Sequence, residues 1–163
     1  LIKRHSLKLS THKSRTQIAA YKLGFGIDAH SIILAKSMSY MNETGGPIKA
    51  LASFYDVAPE KIIVLHDELD IPADDVRVKV GGGHAGHNGL RDIISAAGSN
   101  DFVRVRVGIG RPPGRQDAAD FVLKNFSGEE RKELPLLLEL SADAVEAIVR
   151  DGALAAMNAV NAR

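Results

Sequence analysis

Two hydrophobic periodicities organise this 163-residue chain. Val76-Arg77-Val78-Lys79-Val80 alternates apolar and cationic residues, and 102–109 repeats the pattern with Val103, Val105, Val107 and Ile109 against Arg104 and Arg106. A period of two predicts strands with one face toward the core and one toward water. Ile62-Ile63-Val64-Leu65 is instead an unbroken apolar run, which predicts a core strand delivering His66-Asp67-Glu68-Leu69-Asp70 to its C-terminal end. Residues 16–21 and 31–35 also read as strands, joined by a turn at Gly24-Phe25-Gly26.

The helical stretches lie between these strands. Pro47 suits the first turn of a helix reaching Tyr55, and residues 90–97 form a second after a glycine-rich loop. Residues 118–123 predict a short helix and 128–150 a long amphipathic one, with Pro135 marking either its true start or a kink. Residues 149–160 would close the chain as a last helical turn or as a frayed end. Strands separated by helices predict an α/β fold. The one-sided charge of 76–80 and 102–109 suits antiparallel or edge strands better than buried parallel ones, so the sheet should be mixed. Neither repeats nor a linker interrupt the chain, which reads as one domain from 16 to 163 behind a basic extension, 1–15.

Composition narrows the picture. A chain 45% hydrophobic and 25% charged is ordinary for a globular domain. The net charge of +1 gives no global attraction to polyanions. With no cysteine there is no disulfide, thiol nucleophile or Cys-based metal site, and no apolar run approaches the ~18 residues a membrane helix needs. Residues 1–15 carry Lys3, Arg4, Lys8, Lys13 and Arg15 without one acid, either as a solvated, disordered terminus or as a patch for phosphates. The first residue is Leu rather than Met, so the translational start is expected upstream.

The candidate chemistry gathers between Ile62 and Asp92. Five glycines occupy the nine positions 81–89, around His84, His87 and Asn88. Such a density implies positive φ angles or close approach to the backbone. Gly81-x-Gly83-x-x-Gly86, with Asp101 downstream, satisfies a dinucleotide fingerprint on paper, but Arg77 and Lys79 sit where a buried parallel strand would be apolar. His84 and His87 with Asp67 or Asp70 could hold a metal, although the intervening glycines would hold the ligands poorly. Ester hydrolysis by general-base chemistry is the third reading. It needs a histidine, an acid to orient it and neutral donors for the developing oxyanion. Asp67 can supply the acid and Asn42 and Asn88 the donors, while helix N-capping is the structural alternative for both asparagines. Glu68 and Asp70 read as turn or partner residues. If the two alternating strands are neighbours, Arg77, Lys79, Arg104 and Arg106 form either a phosphate-binding patch or a solvated sheet face.

Several of these motifs, in this order, resemble the bacterial-type peptidyl-tRNA hydrolases. The matching residues are Tyr40-Met41-Asn42, His66-Asp67-Glu68-Leu69-Asp70, Gly81 through Leu90, Val105-Arg106-Val107-Gly108-Ile109-Gly110-Arg111-Pro112, and Phe121-Val122-Leu123 before Phe126-Ser127. The resemblance implies a twisted mixed sheet packed between helices and hydrolysis of the ester joining peptide to tRNA, without metal or cofactor. It also implies peptidyl-tRNA as partner and a cytoplasmic, monomeric enzyme. By the same resemblance Asp67 orients the catalytic histidine. Asn42 and Asn88 position water, substrate carbonyl or peptide backbone, and Tyr40, Met41 and His87 contact substrate. Lys79 and Arg106 clamp an end phosphate of the tRNA.

One part of the pattern is absent. The family's Gly-Asn-Pro-Gly turn and its Thr-Arg-His-Asn segment, which carries the base, occur nowhere in the 163 residues, and Arg4-His5 is no substitute. The expectation is therefore an N-terminally incomplete domain with the substrate site and half of the dyad. The sheet should then lack a strand beside 62–65, and pairing of that strand on both sides by residues of this chain would contradict the expectation. The alternative is a non-catalytic RNA-binding or ribosome-associated relative that keeps the cleft.

Overall fold

A computed structural model describes all 163 residues, in two compact units. Unit 1 comprises Leu1–Ile62 and Gly81–Val103, and unit 2 comprises Ile63–Val80 and Arg104–Arg163.

Unit 1 is built on a three-stranded antiparallel sheet, ordered β1 (Ser10–His12), β2 (Thr16–Leu23) and β3 (His30–Ser37). The β2–β3 hairpin fits the alternation in the sequence. Its turn relies on Gly24 and Gly26 at φ of 91° and 65°, values an L side chain rarely adopts. Residues 1–15 enter this unit through a backbone turn, with Leu7 N–H donating to the Ile2 carbonyl, and then through β1. At the end of β1, Ser14 N–H donates to His12 Nδ1, and Ser14 Oγ lies 2.8 Å from that nitrogen and 2.7 Å from Thr16 Oγ1. Ser14 and Thr16 are both buried, so this chain of bonds satisfies groups that water cannot reach. After β3, a 3₁₀ turn at Met41–Glu43 leads into α1 (Gly45–Phe54), and α2 (Asn88–Ala97) packs against both. α2 ends where Gly98 adopts the left-handed conformation at φ 68°.

Unit 2 carries a second sheet, ordered β4 (Ile63–Glu68), β6 (Val103–Gly108) and β5 (Val76–Val80). Ile109 N–H donates to the Glu68 carbonyl, while Val103 N–H donates to that of Ile62, so β4 and β6 run parallel. Gly108 N–H donates to Asp75, and Gly81 N–H to Phe102, so β5 runs antiparallel to β6. This sheet is mixed, as the charge pattern implied. The α/β class stands, with the strands divided between two sheets. α3 (Ala118–Val122), α4 (Gly128–Asp151) and α5 (Ala153–Asn161) complete the unit. α4 continues through Pro135 rather than starting there, and Gly152 at φ 90° separates it from α5.

The structure bears on three of the readings made from sequence. First, the 62–65 run is not enclosed. β4 is an edge strand whose residues are at most half-buried, and Leu65 is 46% exposed. One side of β4 is left without a partner strand, the open slot expected beside this run. Second, Arg104 does not lie on a solvated face. It is 2% exposed, between Val103 and Val105, because β6 is the central strand and both its faces are covered there. Burial, reinforced by the Arg106 charge, lowers the Arg104 pKa. Third, the loop at 81–89 follows a strand antiparallel to β6, so the parallel βαβ unit required by a dinucleotide fingerprint is not formed, in keeping with the charges that spoke against that reading.

The outer edge of β5 is closed by a side chain. Asn161 Oδ1 accepts from Val78 N–H and Asn161 Nδ2 donates to the Val78 carbonyl, both at 2.9 Å. The amide thus does what a neighbouring strand would do at that residue. Within the same unit Gly108 lies so close to the 72–75 loop that a methyl group on it would overlap the Pro72 carbonyl.

Candidate functional site

In unit 1 the structure brings together five of the residues singled out from sequence: Tyr40, Met41, Asn42, His87 and Asn88. The 3₁₀ turn at Met41–Glu43 is closed by Glu43 N–H donating to Tyr40 and Thr44 N–H to Met41. This turn packs on the N-terminal end of α2. The contact depends on Gly89. A Cβ there would stand 2.8 Å from Met41 Cγ and 3.0 Å from His87 Cε1. Asn42 and Asn88 are both exposed, so neither amide is consumed in the interior. Tyr40 is 82% exposed and Met41 47%, an apolar surface beside two neutral amides. Such a combination suits a peptide, whose side chains need apolar contact and whose backbone needs hydrogen-bond partners.

The capping alternatives for the asparagines do not hold. His87 caps α2, its Nδ1 accepting from Leu90 N–H at 3.2 Å, and Asn88 is the first helical residue. An acceptor at Nδ1 places a neutral ring's proton on Nε2. Asn42 lies inside its 3₁₀ turn, and the cap position of α1 falls to Thr44, which makes no side-chain capping bond. That role is taken by Asp92, a residue the sequence gave no reason to single out: its Oδ2 accepts from Gly45 N–H at 2.6 Å, across 47 residues. Gly45 has no room for a side chain, since a methyl would overlap the Asp92 carbonyl. The glycine loop shows the expected positive φ at Gly81, Gly82 and Gly86, and Ala85 joins them at 47°. His84 Nδ1 accepts from Gly86 N–H, which ties the loop to itself.

In unit 2, β4 carries His66, Asp67 and Glu68 at its C-terminal end. Asp67 is half-buried, and His66 Nδ1 lies 2.8 Å from its backbone oxygen. Glu68 faces Arg106 of the adjacent strand at 3.7 Å. Asp70 binds Arg111 through Nη2 at 2.6 Å and Nε at 2.8 Å. Both acids therefore act as partners of cations. The four-cation patch is reduced: Arg104 is buried, and Arg77 is bound to Asp75 at 2.9 Å. Lys79 is exposed and Arg106 half-buried. Of the four, Lys79 alone is exposed, and Arg106 shares its charge with Glu68. No group of three His, Asp or Glu side chains is arranged to hold a metal ion, and no helix is long and apolar enough to cross a membrane.

Unit 1 presents exposed amides beside an apolar turn, and unit 2 carries a strand-end acid, residue types that a hydrolytic enzyme acting on a peptide-bearing substrate uses. Comparison with known proteins narrows that class. The family model for peptidyl-tRNA hydrolase matches residues 1–163. The chain is 53% identical to the peptidyl-tRNA hydrolase of Arthrobacter sp. (strain FB24), over 96% of this chain and 79% of that one. It is 55% identical to that of Frankia alni, over 93% of this chain and 75% of that one. A crystal structure of peptidyl-tRNA hydrolase from Acinetobacter baumannii superposes with a TM-score of 0.82 at 32% identity, covering 99% of this chain and 80% of that one. A complex of peptidyl-tRNA hydrolase with N-propanol gives 0.84, at the same identity and coverage. The chain belongs to the peptidyl-tRNA hydrolase family.

Proposed function

We propose that this protein hydrolyses the ester between the peptide and the terminal ribose of peptidyl-tRNA, releasing both, and that it does so in the cytoplasm as a monomer. Family membership supports the reaction. The observation that carries the site is the seating of Met41 on Gly89, which sets the Asn42 turn on the Asn88 end of α2. Tyr40 and Met41 contact the peptide, and His87 lies next to them on the helix cap. Asn42 and Asn88 hold the peptide backbone, the ester carbonyl or the attacking water. Neutral amides suit this role, since they donate to a developing oxyanion without drawing off a proton.

A histidine takes the proton from water, and Asp67 holds that histidine in the required tautomer and stabilises its charged form. None of the six histidines of the sequence stands in a Thr-Arg-His-Asn segment, so none of them is assigned as the base. Lys79 and Arg106 hold a phosphate of the tRNA end, remote from the ester. No metal or cofactor enters the reaction.

The test is hydrolysis of N-acyl-aminoacyl-tRNA by the product of the whole reading frame, with Asn42→Ala and Asn88→Ala beside the wild type. Each variant should keep its fold and lose about 100- to 1,000-fold in kcat, the range for removing one positioned donor. Wild-type binding of peptidyl-tRNA with no ester cleavage would instead favour a non-catalytic RNA-binding relative.

A further inference from the structure

The N-terminus of α1 is held from a distance. Its first amides have no partner within the helix, and the residue at the cap position, Thr44, supplies none: its side chain makes no capping bond and its backbone is already helical at φ −73°, ψ −19°. The partner is the Asp92 carboxylate on α2, 2.6 Å from Gly45 N–H. A carboxylate at that end also meets the positive pole of the α1 dipole. Gly45 follows directly on the turn that carries Met41 and Asn42, and Asp92 lies one helical turn beyond Asn88. The turn is thus fixed to α2 at two points, by Met41 on Gly89 and by Gly45 on Asp92.

We propose that Asp92 is a positioning residue of the peptide site, one whose carboxylate, by capping α1, sets Asn42 in register with Asn88. It touches no substrate and acts through Asn42. The inference rests on the reading of Asn42 as a substrate-holding residue. If Asp92 only stabilised the fold, its loss would lower the melting temperature without regard to what residue 42 is. As a positioning residue, its effect on the ligand must pass through the Asn42 amide.

The test is a double-mutant cycle read by binding, which requires no catalytic base. The probe is an N-acetyl-aminoacyl group joined by an amide to 3′-amino-3′-deoxyadenosine. Dissociation constants are measured for wild type, Asp92→Ala, Asn42→Ala and the double variant, with Asp92→Asn as a milder replacement that retains an acceptor for Gly45. Asp92→Ala should weaken binding about 3- to 10-fold, within the range for coupled neighbours, and Asp92→Asn less. In the Asn42→Ala background Asp92→Ala should cost no further affinity. Asn161→Ala, which loosens β5, should lower the melting temperature and leave the dissociation constant unchanged. Equal weakening by Asp92→Ala in both backgrounds would overturn the positioning role while leaving the Asn42 reading intact. Wild-type affinity in Asn42→Ala would overturn the Asn42 reading itself, and the positioning role with it.

Discussion

Met41 packs where the side chain of residue 89 would be: a Cβ on Gly89 would lie 2.8 Å from Met41 Cγ. The backbone there is not in the left-handed region, so glycine serves for space alone. A site turn and a helix N-terminus meet at this contact, and each carries one of the two asparagines.

Gly89→Ala therefore tests the arrangement without touching an amide. The added methyl must push Met41 or His87 aside, an overpacking cost of roughly 1–3 kcal/mol. Thermal unfolding should show that loss, and kcat/KM should fall together with it because Asn42 moves with Met41. A variant as stable and as active as wild type would show that the close approach is dispensable.

The two cations on neighbouring strands should behave unlike the buried one. Lys79→Ala and Arg106→Ala should raise KM for peptidyl-tRNA more than they lower kcat, because contact to a distant phosphate is lost equally from ground and transition states. The effect should shrink with added salt. Arg104→Met should leave KM alone. An unchanged KM at low salt in the Lys79 and Arg106 variants would exclude the clamp.

Asn161→Ala removes both bonds to Val78 and leaves a backbone N–H and C=O without their partner. The expected loss is about 1–3 kcal/mol, with faster hydrogen exchange at the Val78 amide. Unchanged exchange there would mean that the edge is protected by something else.

How much of this was legible beforehand follows from the range of the interactions. The β2–β3 hairpin, α2 and its glycine stop, and the alternating strands are short-range patterns, and the sequence shows them directly. The family motifs likewise pointed to Asn42, Asp67 and Asn88. What could not be read is long-range. Asp92 caps a helix 47 residues away and Asn161 closes an edge 83 residues away, and no local signature marks either. Alternation placed Arg104 and Arg106 on one face alike, yet one is buried and the other half-buried, because the cover over a central strand comes from elsewhere in the chain. The Ile62-Ile63-Val64-Leu65 run has a partner strand on one side only, the open slot that the sequence led one to expect beside it.

The central claim is ester hydrolysis with Asp67 as the acid that orients the base, and one measurement bears on it most directly. It is kcat for N-acyl-aminoacyl-tRNA hydrolysis by the whole reading-frame product, wild type against Asp67→Asn. An asparagine can donate to the ring and permit the wrong tautomer, and it carries no charge to stabilise the imidazolium. General-base catalysis is worth about 10²–10⁴, so a fall of roughly 10²–10³ in kcat is expected, with the fold and substrate affinity retained. Wild-type kcat in Asp67→Asn would contradict the role assigned to Asp67.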